Sequence, residues 1–475
     1  MWALVLAVSV LVGASTANAP VLAWLVLAAA GGMALLQVSV ETWVSGAVLL
    51  SVLSRLAVAT GMVPQVVNFL HFPLTLGAAL VAAAGRDAGT RLGSKLALGL
   101  IGLLLVSLGS WAVNGGGIVR PILAWLVFAE PFLLVYAIMK ARSGPRGQGF
   151  LLSLLTTLAF IQLPLAVWQS RTLGLADPVQ GTFVGLGAGA HVAGAVALLG
   201  TMVFVARAVS RGRRSGFSRL LLLGAVLVIV PLLADAKQAF AAFLAGAMYL
   251  VWTSGFYRRG KFMLLLVLVL GGAALASSSF PAFGRIFNVR LLHEGAGGKT
   301  GAYGIISGGG LTTRILLGLG PGNSVSRVSL MGMESYIKPQ SPVSFLGLTP
   351  APATQEILAL TQSNWLLASS SAWSGISSWL GLFGDLGLVG VAVYLWMCVH
   401  IWRTLGRVRT WQSQAARASL VMAALLGGIY SWLEEPGFTM VVALLVGLAL
   451  IPSHDGYSTT HRPAGPGPIS LGKAA

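Results

Sequence analysis

The side chains best suited to chemistry are ten basic residues that stand apart from the chain's clusters of lysine and arginine. They are Arg55, Arg120, Arg171, Lys237, Arg285, Arg290, Lys299, Arg314, Arg327 and Lys338. A planar guanidinium pairs with phosphate oxygens bidentately, so arginines converging from several loops can hold a diphosphate. Arg55, Arg120, Arg171, Lys237, Arg285, Arg290, Arg314 and Arg327 are the candidates for that role. His293, beside Glu294 and between Arg290 and Lys299, is the candidate catalytic base. Its ordinary pKa lies near neutrality, so it can take a proton from an attacking hydroxyl. Any one of these cations taken singly is more often an interface anchor or an ion-pair partner. Asp177, Asp235, Glu294, Glu334, Glu356, Glu434 and Glu435 are available to pair with them. The diphosphate reading therefore rests on the group.

Other chemistries lack their residues. There is one cysteine, Cys398, and no HExxH or dense carboxylate cluster, so no metal is expected. No Walker loop or dinucleotide-binding unit is present, and no cofactor is expected. The net charge of +18 does not imply a nucleic-acid partner, because its placement follows membrane topology.

The elements that must position these residues are membrane helices. Hydrophobic residues make up 56% of 475 and charged residues 9%, with a mean hydropathy of +0.86. A soluble domain carries roughly 25% charged residues. The apolar residues come in continuous blocks of Leu, Val, Ala and Gly rather than alternating ones, which points to helices and not barrel strands. Basic clusters at 86–95, 140–146, 207–219, 258–261 and 403–417 are separated by even numbers of blocks, so all can face the cytoplasm. This parity predicts helices near 2–17, 21–38, 42–60, 66–84, 96–112, 121–139, 150–169, 182–205, 219–234, 237–254, 262–278, 376–402, 418–433 and 436–451. The fold expected is an all-α, polytopic transmembrane bundle of about 12–14 spans with one large external loop. Ala17-Asn18-Ala19 imitates a signal-peptidase site, but no basic residue precedes the apolar run and Pro20 follows, so the first block is read as a retained helix.

Four regions follow: a helical region over 1–278, a large external loop over 279–375, C-terminal membrane helices over 376–452, and a flexible cytoplasmic tail over 453–475. The loop is rich in Gly, Ser, Thr and Pro, yet Tyr303, Tyr336, Trp365 and Trp373 favour a packed structure with short helices. On this map the ten isolated cations fall on or near the external face. Arg55 lies inside its span, where a charge needs a partner, a wet cavity or a route to the interface.

Four stretches together resemble the O-antigen ligase and polymerase superfamily of bacterial membrane glycosyltransferases. They are Asp177-Pro-Val-Gln-Gly-Thr-Phe183, Pro231-Leu-Leu-Ala-Asp-Ala-Lys-Gln238, Arg314 with Leu317-Gly-Leu-Gly-Pro-Gly-Asn323, and Leu380-Gly-Leu-Phe-Gly-Asp-Leu-Gly-Leu-Val-Gly390. Their order covers about the last two-thirds of the chain. The resemblance implies an inverting enzyme at the outer face of the cytoplasmic membrane, using no nucleotide or essential metal. It would transfer glycan from a polyprenyl diphosphate carrier to a hydroxyl acceptor, with arginines on the diphosphate and a loop histidine near the acceptor. Arg314 matches a family-like arginine and Lys237 a basic position between spans. Many members carry His-Asn where this chain has Ser377-Ser378, and Glu where it has Asp385.

The expected activity is polymerisation of carrier-linked repeat units, with ligation to a lipid core or protein as the alternative and transport as a second. The expected partners are the glycan donor and acceptor, membrane lipids and a chain-length regulator. A transporter would place ionisable groups at the bilayer midplane, where Glu130 before Pro131 and His191 are the candidates. An envelope scaffold would tolerate loss of the arginines.

Overall fold

The computed structural model describes residues 38–85, 90–141, 143–175, 177–185, 188–211, 217–253, 289–308, 313–337, 347–363 and 375–451. Among them the chain is helical, and the helices follow the apolar blocks. The first are α1 (Val40–Ala59), α2 (His71–Ala84), α3 (Arg91–Asn114), α4 (Val119–Ala141) and α5 (Pro145–Thr172). Next come α6 (Gly189–Arg211), α7 (Phe217–Leu227), α8 (Ile229–Leu233) and α9 (Lys237–Thr253). Four helices, α10 (Val289–Ser307), α11 (Thr313–Leu317), α12 (Arg327–Ile337) and α13 (Pro352–Ser363), occupy the region read as a loop. The chain then runs through α14 (Ser378–Arg407), α15 (Trp411–Ile429) and α16 (Pro436–Leu450).

Among the described residues seven elements are long and apolar enough to cross a membrane, and α7–α8 and α16 are shorter apolar helices. The expected spans near 2–17 and 262–278, nearly all of 21–38, and the tail over 453–475 lie outside the described residues. Elsewhere a helix covers each expected span, and local chemistry moves the ends. The span expected from 182 begins at Gly189, because Gln162 and Gln169 draw the backbone of residues 181–182 into a turn. Gln169 accepts from Gly181 N at 2.7 Å, and Gln162 accepts from Thr182 N at 3.0 Å. The span expected from 418 begins at Trp411, where the Thr410 hydroxyl accepts from Ser413 N and caps the helix.

The centre of the bundle is α16. All its residues from Pro436 to Leu450 are buried, as expected of a helix that is apolar all round. At about 22 Å it is shorter than the bilayer core, but protein rather than lipid surrounds it. It packs against α4, α15, α1, α5 and α6. Close approach is set by small residues: a Cβ at Gly447 would lie 2.8 Å from Ile138 of α4. Beside it, Glu130 is buried within α4 with its carboxylate 2.6 Å from His71 Nδ1, and it accepts from the Thr75 hydroxyl at 3.2 Å. This carboxylate thus has two partners, both on α2.

The loop region is packed, with Ala302, Ile306, Val325, Ile357, Ile376 and Phe383 forming a core of their own. It is fastened to the bundle at a break in α14. Gly387 takes φ +65° and ψ −169° inside that helix, a conformation glycine adopts without a Cβ penalty. The break leaves the Ser378–Leu386 segment with the loop.

Candidate functional site

Arg55 sits one turn before the end of α1, and Arg327 opens α12. The fold brings both to one cavity of about 580 Å³, within the range of small-molecule sites at roughly 300–1,000 Å³. Carboxylates come to the same space: Glu334 lies two turns along α12, and Glu435 caps α16. Gln65, Asn68 and Tyr430 complete its polar wall. Asn68 Oδ1 is buried with no hydrogen-bond partner among the described residues, which leaves an acceptor for a hydroxyl.

Arg327 is held from several directions. Its backbone N–H donates to the Glu434 carboxylate, and its guanidinium donates to the Glu434 carbonyl at 2.7 Å. The same guanidinium lies 3.6 Å from the Glu435 carboxylate, and the two side chains are 15% and 12% exposed. Such a guanidinium is oriented before any ligand arrives. Burial pushes the Glu434 carboxyl up to about 8 despite the hydrogen bond from Arg327. Burial, reinforced by the charges of Glu435 and Glu434, also raises the Tyr430 phenol.

The positions of α12 and Arg327 depend on two of the sequence stretches meeting. Asp385, fully buried in α14, accepts from Gly322 N at 2.8 Å, Ser324 N at 3.2 Å and the Ser324 hydroxyl at 2.6 Å. Leu319 N donates to the Gly384 carbonyl at 2.6 Å. Ser110 of α3 donates to the Leu317 and Asp385 carbonyls at 2.5 and 2.9 Å. Gly318 has φ +78°, and a Cβ there would lie 2.6 Å from the Gly384 carbonyl oxygen. The Gly-Pro-Gly run and the re-entering helix therefore form one interlocked unit.

The other candidate cations take separate places. Arg120 donates to Asn323 Oδ1 and to the Thr349 carbonyl, the latter at 2.6 Å, so it pins loop to bundle away from the cavity lining. Lys237 lies 2.7 Å from Asp235. Arg171 is exposed at the end of α5, and Arg314 is exposed on α11 beside Gly308. Arg290 and His293 belong to the first turns of α10, and Arg285 lies outside the described residues. Lys299, on the same helix, donates to the Ile376 and Ile429 carbonyls at 3.1 and 2.8 Å, and burial lowers its pKa to about 8.

Of the candidates with described side chains, only Arg55 and Arg327 share the cavity lining. Sequence reasoning named its acids only as possible ion-pair partners and missed Gln65 and Asn68. These two lie on a short 3₁₀ turn between α1 and α2, and Pro64 is the only cue to its presence. No group of three His, Cys, Asp or Glu suited to a metal occurs among the described residues.

Fold and composition define an all-α, multi-pass membrane protein. No protein-family model matches the chain, and no curated protein is significantly similar to it.

Proposed function

We propose that this protein is an inverting glycosyltransferase of the outer face of a bacterial cytoplasmic membrane, polymerising repeat units carried on polyprenyl diphosphate. The observation that carries this reading is the cavity where Arg55 and the pre-oriented Arg327 meet Glu334 and Glu435. The acceptor hydroxyl oxygen attacks the anomeric carbon, a new C–O bond forms, and the bond to the diphosphate breaks. The leaving oxygens keep the electron pair and face the two guanidinium groups. Fixed cations aimed at developing charge are an efficient form of transition-state stabilisation. The hydroxyl proton passes to a base, for which Glu334 at the cavity and His293 in α10 are the two candidates.

The test is a glycan ladder from the source organism lacking the protein, complemented with Arg55→Ala, Arg327→Ala, Glu334→Gln or His293→Ala. The expected result is loss of long chains in both arginine variants, with single repeats still attached, and loss in whichever variant removes the base. If attachment is lost while long carrier-linked chains persist, the enzyme is a ligase using the same site. If chain length and attachment both survive in the null strain, the glycosyltransferase reading fails.

A further inference from the structure

A second cavity, with a cationic rim, lies at the opposite end of the bundle, where the basic clusters gather. It has a volume of about 340 Å³ and opens between the start of α3 and the last turns of α14. Its rim carries Arg91 and Lys95 from α3 and Arg403 and Arg407 from α14, and among the described residues no acidic side chain lines it. None of the four is ion-paired to a carboxylate among the described residues. Four cations with no carboxylate partner among the described residues, set around one concavity, suit an anion, and guanidinium forks suit phosphate oxygens. The floor is apolar, formed by Leu92, Met139 and Leu450.

The helix faces below the cavity decide what carries the phosphate. On α3, Lys95 heads a stripe continued at helical spacing by Leu98, Ile101 and Leu105, which are 63%, 56% and 62% exposed. On α14, Arg403 heads a stripe that continues through Val399 and Leu395, both exposed. These two helices pack against each other, with Gly99 and Gly102 admitting Met397 and Val393. A cationic socket thus sits directly above two lipid-facing apolar tracks. Basic pockets between membrane helices on the side bearing Lys and Arg bind anionic headgroups.

We propose that this cavity is a binding site for an anionic phospholipid, with the headgroup phosphate between Arg91, Lys95, Arg403 and Arg407 and the acyl chains along α3 and α14. The site is independent of the glycosyltransferase reading and would stand if that reading failed.

The experiment is native mass spectrometry of the whole purified chain in detergent, offered phosphatidylglycerol or phosphatidylcholine. The wild type should retain phosphatidylglycerol over phosphatidylcholine by about tenfold or more, given the typical contribution of each basic residue at a charged surface. Arg91→Gln/Arg403→Gln should abolish that preference, whereas Arg211→Gln, at the same end but outside the cavity, should leave it intact. All three arginines are exposed, so the substitutions spare the core. A Lys95→Gln/Arg407→Gln pair repeats the test should the first fail to fold. Equal retention of both lipids by the wild type, or an unchanged preference in a folded double variant, overturns the proposal. Displacement of phosphatidylglycerol by millimolar inorganic phosphate would assign the socket to free phosphate and overturn the lipid assignment; failure to displace supports it.

Discussion

Replacing Asp385 with alanine tests whether the buried carboxylate is what fastens the Gly-Pro-Gly run to α14. In the intact protein Asp385 accepts from two backbone amides, Gly322 and Ser324, and from the Ser324 hydroxyl. The hydroxyl has an alternative, because the Gly381 carbonyl lies 3.2 Å away. Among the described residues the two amides have no second acceptor, and the Asp385 side chain is fully buried. A buried donor left unpaired costs about 1–3 kcal/mol, so the pair costs at least about 2 kcal/mol. If local opening bears that cost, the two amides should exchange with solvent about thirtyfold faster. Hydrogen exchange with peptide-level mass spectrometry on the detergent-solubilised protein reads this directly, with α6 peptides as an internal control. Asp385→Asn keeps one carbonyl acceptor and should fall between. Unchanged protection over 319–324 in folded Asp385→Ala protein would refute the reasoning, since the segment would then be held by something other than the carboxylate.

Three further outcomes follow from the geometry. Glu434 ionises at about 8 when folded against 4.5 in the open chain, so stability should fall as pH rises from about 4.5 to about 8 and level off above that range. Thermal unfolding across this range should show the decline, and Glu434→Gln should flatten it. Lys299 gives the reverse sign in a different window. Its pKa drops from 10.5 to about 8 on burial, so stability should rise between about pH 8 and 10.5, and Lys299→Met should remove the rise in the same unfolding series. Gly387→Ala should lower the unfolding temperature, because φ is +65° and the added Cβ would strike the Leu316 carbonyl. The cost expected of such a conformation is about 1–3 kcal/mol. Gly109→Ala, in open space within α3, should be neutral or gain up to about 1 kcal/mol.

The bundle was legible because lipid leaves little freedom: an apolar block long enough to cross must be helical. Hence α1 and α4 begin and end close to where hydropathy and charge place them. The site was legible in part. Arg55 was marked by being a charge inside an apolar block, and Arg327 by standing alone in a polar loop. Nothing in composition says that these two meet while Arg120 goes to Asn323 and Thr349. That depends on how α12 is seated, which the Asp385 contacts decide, across more than 60 residues of chain. Lys237 pairs with Asp235, the local partner its sequence position offers. Gln65 and Asn68 were illegible because a short 3₁₀ turn carries no periodicity to read.

The break at Gly387 divides the labour of α14. From Leu388 to Arg407 remain about 20 residues, a rod about 30 Å long, which matches the hydrocarbon thickness. The short piece before the break is moored to the loop through Asp385, and the rod ends among Arg403 and Arg407 at the basic socket. In mechanical terms the helix is a strut kinked where it meets the loop and footed among basic side chains. One member therefore carries both the cations at its foot and, through Asp385 at its head, the loop.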